Sequence, residues 1–528
     1  MTHRAWGPLR RGLPALWRER PRPVHPLLLA VWPVLFLYGQ NVGELQLAEL
    51  VAPLVVVALT ALLFLVVATY LLRDGRRAAL IVSGLALALL LYGHVAELIG
   101  PLGPRPGIQQ IAWALLVLVV VVAAVRIGPM RLAGATRGLN VVGAILVAVS
   151  LATIVPAELA RLGPGTGVAA PDIGGSAGTG RDIYYLVFDR YGSARSLDLL
   201  YDVDDEPFLD HLRDRGFQVL PDSHANYIRT TLSLAATLNL DYLDHVVATQ
   251  DPGSSNYGPI NDRLADHAVG RFLRERGYEY VHVGSGYGPT ESSKIADRNP
   301  RVGEPSDFQA ALFDSSALPV IARRLGIIKT TPNRERRYRV TNFELDTLDQ
   351  LATEPGPKFV FSHMLIPHPP YIFARDGSFV TDELDAGRSR AEAYGDQLRY
   401  LQERIKALVD RLLDRPEAER PIIILQADEG PYPVRYGRDA DTFDWATATT
   451  DELEIKYGIF NAMYLPGAEQ PDLAPTLSSV NTFRLVFDRY FDTDLPLLPD
   501  RSFTSANRLR PYDLTEITER LPSLGARP

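Results

Sequence analysis

Before residue 158 the chain is built from five apolar segments, near 26–41, 49–72, 78–99, 110–128 and 138–157. Most are about as long as the roughly 20 residues that a membrane-spanning helix needs. Loop charges predict their orientation. Arg73, Arg76 and Arg77 follow the second segment and Arg126, Arg131 and Arg137 follow the fourth, whereas the alternate loops hold only Arg105. With the amino terminus inside, positively charged loops stay on the inner side throughout. Five spans then carry everything after about residue 158 to the extracytoplasmic face. If the first and shortest segment only lies in the interface, the orientation reverses.

The arginine-rich flank 1–25 (Arg4, Arg10, Arg11, Arg18, Arg20, Arg22) reads as a cytoplasmic flank. A cleaved signal peptide is the competing reading, but no small-residue cleavage site follows it. Residues 1–180 hold 14 Lys and Arg against 7 Asp and Glu, leaving 40 against 55 in the remainder, so a basic apolar part (+7) precedes an acidic one (−15). An acidic large domain argues against nucleic acid as partner, because phosphate backbones demand a basic footprint. With no cysteine, disulfides, thiolate metal sites and cysteine nucleophiles are all excluded.

Residues 158–180, rich in Gly, Pro and small residues, predict a flexible linker. From Arg181 short apolar runs alternate with longer amphipathic stretches, the pattern of an α/β domain with a central, mostly parallel sheet. Strands are expected at 182–188, 217–220, 279–283, 358–362, 422–427 and 459–465. Helices are expected at 204–215, 231–239, 260–276, 341–353, 389–414 and 480–491. The domain is expected to end near 503, with 504–528 as a tail.

Three of these runs end on polar residues: Asp189 after IYYLVF, His363 after KFVFS, and Asp428 with Glu429 after IIILQA. Parallel strands bring such ends together, and ligands of open α/β sheets sit outside them. Each residue alone has a plainer explanation, a helix cap for an acid or a solvated loop for the histidine. A fourth contribution comes from NYIRTTLSLAATLN (226–239), where Thr230 or Thr231 falls in the first turn of an apolar helix. A hydroxyl there is an ordinary N-cap, but the helix amino terminus also stabilises an alkoxide or a phosphoryl group. Asp189, Thr230, Asp428 and Glu429 together form an all-oxygen set suited to a hard divalent cation. Such a cation would ionise the threonine and polarise a phosphoryl oxygen.

The ordered motifs LVFDRYGS, NYIRTTLSLAATLN, FSHMLIPHPPY (361–371) and ADEGP (427–431), with IFNAMYLPG (459–467) and 480–500 closing the domain, resemble the alkaline phosphatase superfamily. The similarity is to its membrane-anchored sulfatase-like branch, which includes lipoteichoic acid synthases and phosphoethanolamine transferases, and covers about 181–503 plus the helical anchor. The resemblance implies a metal held by Asp189, Thr230 and Asp428, with Thr230 as nucleophile; Thr230 is preferred to Thr231 by its spacing from Asn226, Tyr227 and LSLA. It also implies His368 as a catalytic residue facing the substrate phosphate, with His363 as a weaker match. Glu429 stands where relatives carry the histidine of Asp-His-Gly, which favours Mn, Mg or Ca and still permits Zn. Lys456 is a candidate phosphate-facing cation, or else simply solvated. There is no Cys/Ser-x-Pro-x-Arg motif around Thr230, so formylglycine chemistry is not expected.

The function expected is a metal-dependent phosphotransferase of the cell envelope. It would move a phospho-head group from a membrane lipid donor to an envelope glycan or lipid acceptor through a threonine-linked intermediate. A phosphoric, or less readily a sulfuric, ester hydrolase is the alternative of the same chemistry. A catalytically silent envelope scaffold or binding protein is the alternative of another class.

Overall fold

The computed structural model describes residues 21–42, 45, 47–99, 106–162, 173–303, 306–328, 332–439, 443–467, 473–505, 507 and 510–521. Most of the arginine-rich flank, residues 163–172 of the expected linker and the end of the expected tail lie outside the described residues. The chain divides into two compact units, one holding 1–42, 46–156 and 311–327, the other most of the remainder.

Among the described residues of the first unit, three helices have the length and apolarity to cross a membrane: Leu47–Leu72, Gly107–Arg126 and Pro129–Leu159. The first expected span forms a shorter apolar helix, His25–Gln40. The third is divided at Leu91 into Gly75–Leu90 and Tyr92–Ile99. Beyond the division the Gly93 N–H donates to the Ser315 carbonyl at 2.7 Å, and a Cβ on Gly93 would collide with that backbone. Residues 311–327 join this unit through further bonds, Ala317 N–H to the Leu89 carbonyl at 2.7 Å and Arg324 Nη2 to Gln110 Oε1 at 2.6 Å.

The second unit is a three-layer α/β domain. Its strands are β1 (Ile183–Phe188), β2 (Gln218–Val219), β3 (Glu279–Val283), β4 (Lys358–Met364), β5 (Ile422–Gln426) and β6 (Asn461–Tyr464), in the order β2-β6-β5-β1-β4-β3. β3, β4, β1 and β5 are parallel neighbours, and β6 is antiparallel to β5. All six expected strands are found; the central ones, buried on both faces, read as continuous apolar runs, whereas β2 is a half-buried two-residue edge.

Alternation along the strands separates two cores. Tyr184, Leu186 and Phe188 face one core with Leu398, Leu401, Ile405 and Leu408 of the helix Arg390–Leu413. That helix starts at a reciprocal cap between Ser389 and Glu392. Ile183, Tyr185, Val187, Phe359, Phe361, Ile422 and Ile424 face the other core, with the helices Thr230–Leu238, Ala268–Glu275 and Thr482–Phe491.

The expected helix 260–276 is two helices, because His267 caps the second by accepting from the Gly270 N–H at 3.0 Å. A helix at Thr450–Tyr457, capped reciprocally by Thr449 and Glu452, was not expected. The expected linker ends in residues that dock on the domain, with the Ser176 N–H donating to the Phe491 carbonyl at 2.6 Å. A small second sheet, Phe503–Ser505 with Leu514–Glu516, runs across the boundary expected at 503.

Candidate active site

The three central parallel strands deliver their polar residues to one point. In register, Val187 lies between His363 of β4 and Gln426 of β5. Asp189 follows β1, its N–H donating to the Met364 carbonyl at 3.0 Å, and Asp428 follows β5 by one residue more. His363 lies inside β4 rather than in the loop after it. Asp189, His363 and Asp428 are all buried, and one donor atom from each falls within 4.8 Å of the others.

These donors lack ordinary partners. Asp189 Oδ1, both Asp428 oxygens and His363 Nε2 make no hydrogen bond. Burial pushes the Asp189 carboxyl up to about 6, against the pull of neighbouring Arg190. Burial, then the nearby Asp189 and Glu429, raises Asp428 well above the usual carboxylate range. Burial holds the His363 ring neutral, with its pKa down to about 3. Unpaired carboxylates buried beside a neutral imidazole are costly unless a cation is shared among them, and their oxygen and nitrogen donors fit a divalent metal.

Thr230 opens the helix Thr230–Leu238, whose N-cap residue Arg229 supplies no side-chain cap, so the first-turn N–H groups remain available. Its hydroxyl faces Asp428 closely enough to temper that carboxyl's raised pKa. Thr230 is partly exposed and Thr231 is buried, and both line the same cavity.

A cavity of ≈ 240 Å³ opens over Thr230, lined by Asp189, Arg190, Arg229, Arg337, His368 and Glu429 together with Tyr257, Tyr287 and Tyr432. Arg229 Nε and Arg337 Nε and Nη1 are buried without hydrogen-bond partners. Three guanidinium groups beside the Thr230 hydroxyl make an anion-binding wall. His368 donates from Nδ1 to the Pro369 carbonyl, leaving Nε2 as the ring's acceptor, and burial holds its pKa well below the ordinary value.

Glu429 and Lys456 are bound to each other. Lys456 Nζ lies 2.8 Å from Glu429 Oε1, Arg190 Nε donates to the same oxygen at 3.3 Å, and both cations lie over the Tyr432 ring. Gly430 makes this approach possible, since a Cβ there would lie 2.3 Å from the Ile455 carbonyl oxygen. Lys456 is fully buried at the end of the helix Thr450–Tyr457 and does not line the cavity. Burial lowers its pKa to about 8, with Glu429 opposing.

The structure thus brings Asp189, Thr230, His363, His368, Asp428 and Glu429 into one site, with Lys456 behind Glu429. The arginines were missed. Arg190 and Arg229 adjoin Asp189 and Thr230 in sequence, a signal that was available. Arg337 comes from the helix Pro332–Leu351 and Tyr257 from before another helix, with no local pattern to mark either. Tyr287 and Arg337 both come from 284–340, a stretch in which the sequence predicts neither strand nor helix.

A family model described as sulfatase matches residues 183–452, within the region whose motifs resemble the sulfatase-like branch. No curated protein matches. Among solved structures, the C-terminal periplasmic domain of EcEptC from Escherichia coli is similar at 13% identity and a TM-score of 0.40, over 67% of this chain and 98% of that one. The same domain in complex with Zn gives a TM-score of 0.41, again at 13% identity and over the same 67% and 98%. The integral membrane protein lipooligosaccharide phosphoethanolamine transferase A (EptA) from Neisseria meningitidis is similar at 14% identity and a TM-score of 0.38, over 88% of this chain and 94% of that one.

Proposed function

The chain belongs to the sulfatase family, and from that premise we propose that it is a membrane-anchored, metal-dependent phosphotransferase with Thr230 as nucleophile and its catalytic domain on the extracytoplasmic side. The observation that carries this reading is the position of Thr230. It stands at an uncapped helix amino terminus, beside two buried carboxyl groups that hold three unpartnered oxygens between them, under a cavity walled by three arginines.

Asp189, Thr230 and Asp428 would hold the cation, with Glu429 next to them. When bound, that ion supplies the positive charge that makes the threonine hydroxyl nucleophilic and draws electron density from a phosphoryl oxygen. Thr230 Oγ1 attacks the phosphorus of a phosphodiester; the Thr–O–P bond forms as the bond to the donor alcohol breaks, and the threonine proton passes by way of His368 to the departing alcohol oxygen. Arg190, Arg229 and Arg337 orient the phosphoryl oxygens and offset their charge. In the second step His368 Nε2 takes the proton of an acceptor hydroxyl, whose oxygen displaces Thr230, and returns that proton to the Thr230 oxygen, which restores the enzyme. The helical anchor favours a membrane lipid as donor and an envelope glycan or lipid as acceptor, because it confines the site near the bilayer.

The test uses full-length protein in lipid nanodiscs, with Mn²⁺ or Mg²⁺ and phospholipids isotopically labelled in the phospho-head group. Mass spectrometry of peptides should find the label on Thr230 and lose it in Thr230→Ala. Undiminished turnover by that variant would overturn the nucleophile assignment.

A further inference from the structure

The metal reading leaves one donor position to be assigned, and sequence order points to Glu429. Its Oε1 is committed to Lys456 and Arg190, and although its Oε2 is buried without a partner, the donor atoms that lie within 4.8 Å of one another come from Asp189, His363 and Asp428. His363 is not committed. Strand alternation carries Phe359, Phe361 and His363 on one face of β4. In register with them run Ile183, Tyr185 and Val187 of β1, with Asp189 next in that alternation, and Ile422, Ile424 and Gln426 of β5, with Asp428 next. His363 Nε2 is 3.8 Å from Asp428 Oδ2, too far for a hydrogen bond, and has no partner.

The other side of the imidazole is held firmly. Nδ1 lies 2.9 Å from Thr290 Oγ1, which is also 2.7 Å from Ser285 Oγ and 3.4 Å from the Tyr287 carbonyl. Thr290 Oγ1 has two recipients for its own proton, Ser285 Oγ and the Tyr287 carbonyl, and can therefore accept from Nδ1–H, the tautomer that leaves Nε2 with its lone pair toward Asp189 and Asp428. A buried chain fixes Thr290 in turn. The Gly270 N–H donates to His267 Nδ1, so His267 Nε2–H donates to the Tyr280 oxygen at 2.9 Å. The Tyr280 hydroxyl then donates to His282 Nδ1 at 3.1 Å, and His282 Nε2–H to the Thr290 carbonyl at 2.8 Å. An imidazole fixed at Nδ1 by an outer partner, with a bare Nε2 beside two bare carboxylates, is how proteins present a histidine to a metal.

We propose that His363 Nε2 is the nitrogen donor of the metal centre, that Thr290 is its positioning residue, and that Glu429 stands outside the donor set. The inference rests on the reading of this site as a metal centre. Two carboxylates, a hydroxyl and an imidazole favour Zn²⁺ or Mn²⁺ over Mg²⁺ or Ca²⁺, shifting the preference that an all-oxygen set would give.

The test is metal binding, independent of turnover. Chelator-stripped full-length protein in nanodiscs is titrated calorimetrically with Zn²⁺ and Mn²⁺, and the Mn²⁺ form is examined for imidazole ¹⁴N coupling by electron spin-echo modulation. Wild type is expected to bind one ion with nitrogen coupling. His363→Ala and the bulkier His363→Gln should lose the coupling and weaken Zn²⁺ binding by more than the roughly 10–100-fold that a lost outer partner costs. Thr290→Val should weaken binding within about that 10–100-fold range, and Thr290→Ser should restore it. Glu429→Gln and His368→Ala should keep the coupling. Coupling and affinity that persist in both His363 variants, or coupling lost in His368→Ala instead, overturn the assignment. Wild type that binds no ion overturns the metal-centre reading itself.

Discussion

Lys456 Nζ and Glu429 Oε1 lie 2.8 Å apart with both side chains buried. A buried pair loses more when one partner is removed than when both are replaced, because the survivor keeps its desolvation cost without its counter-charge. Lys456→Met is therefore expected to destabilise the domain by about 3–5 kcal/mol, with the double variant Lys456→Met/Glu429→Gln recovering much of the loss. Chemical denaturation midpoints of the single and double variants check this; a double variant no better than Lys456→Met contradicts it.

At Thr230 the nucleophile assignment predicts a graded series. Thr230→Ser keeps the hydroxyl at the helix start and should retain measurable transfer, while Thr230→Ala should lower kcat by roughly 10⁴-fold or more. Single-turnover rates with a labelled lipid separate the chemical step from release.

Arg229 Nε and Arg337 Nε and Nη1 are buried without hydrogen-bond partners, and in the proposed function they bind the phosphoryl group. A hydrogen bond to a charged group contributes about 1.5–3 kcal/mol, so Arg229→Met or Arg337→Met should each reduce kcat/KM by roughly 10–100-fold. Steady-state kinetics read this directly, and an unchanged kcat/KM would remove that arginine from substrate recognition.

Burial holds His267 and His282 neutral, with pKa values lowered to about 3 and about 4. Since both values lie below the ordinary 6.5, the stability they confer is fully present above pH 6.5 and is lost progressively as pH falls toward 4. Urea midpoints measured between pH 7.5 and 5 should fall in the wild type, and less steeply in His282→Gln. An equal slope would mean that other groups carry the acid sensitivity.

The sulfatase-like domain was legible because its central strands are buried on both faces and so appear as unbroken apolar runs. Asp189 and Asp428 were found for the same reason, as the first charges after such runs, and Thr230 because it opens an apolar helix. His363 was found as a polar strand end and given to substrate. Counting alternate residues from Phe359 and Phe361 would have placed it on the face of Asp189 and Asp428.

By itself, then, the sequence determined the two-part division, the strands and the identity of the polar strand ends, all of which follow from local periodicity. Tertiary structure decided the rest. The approach of Lys456 to Glu429, the entry of Arg337 and Tyr287 into the cavity, and the buried chain from Gly270 to Thr290 depend on distances between segments far apart in the chain. Local pattern carries no information about such distances, because they are set by how the helices and loops pack across the sheet.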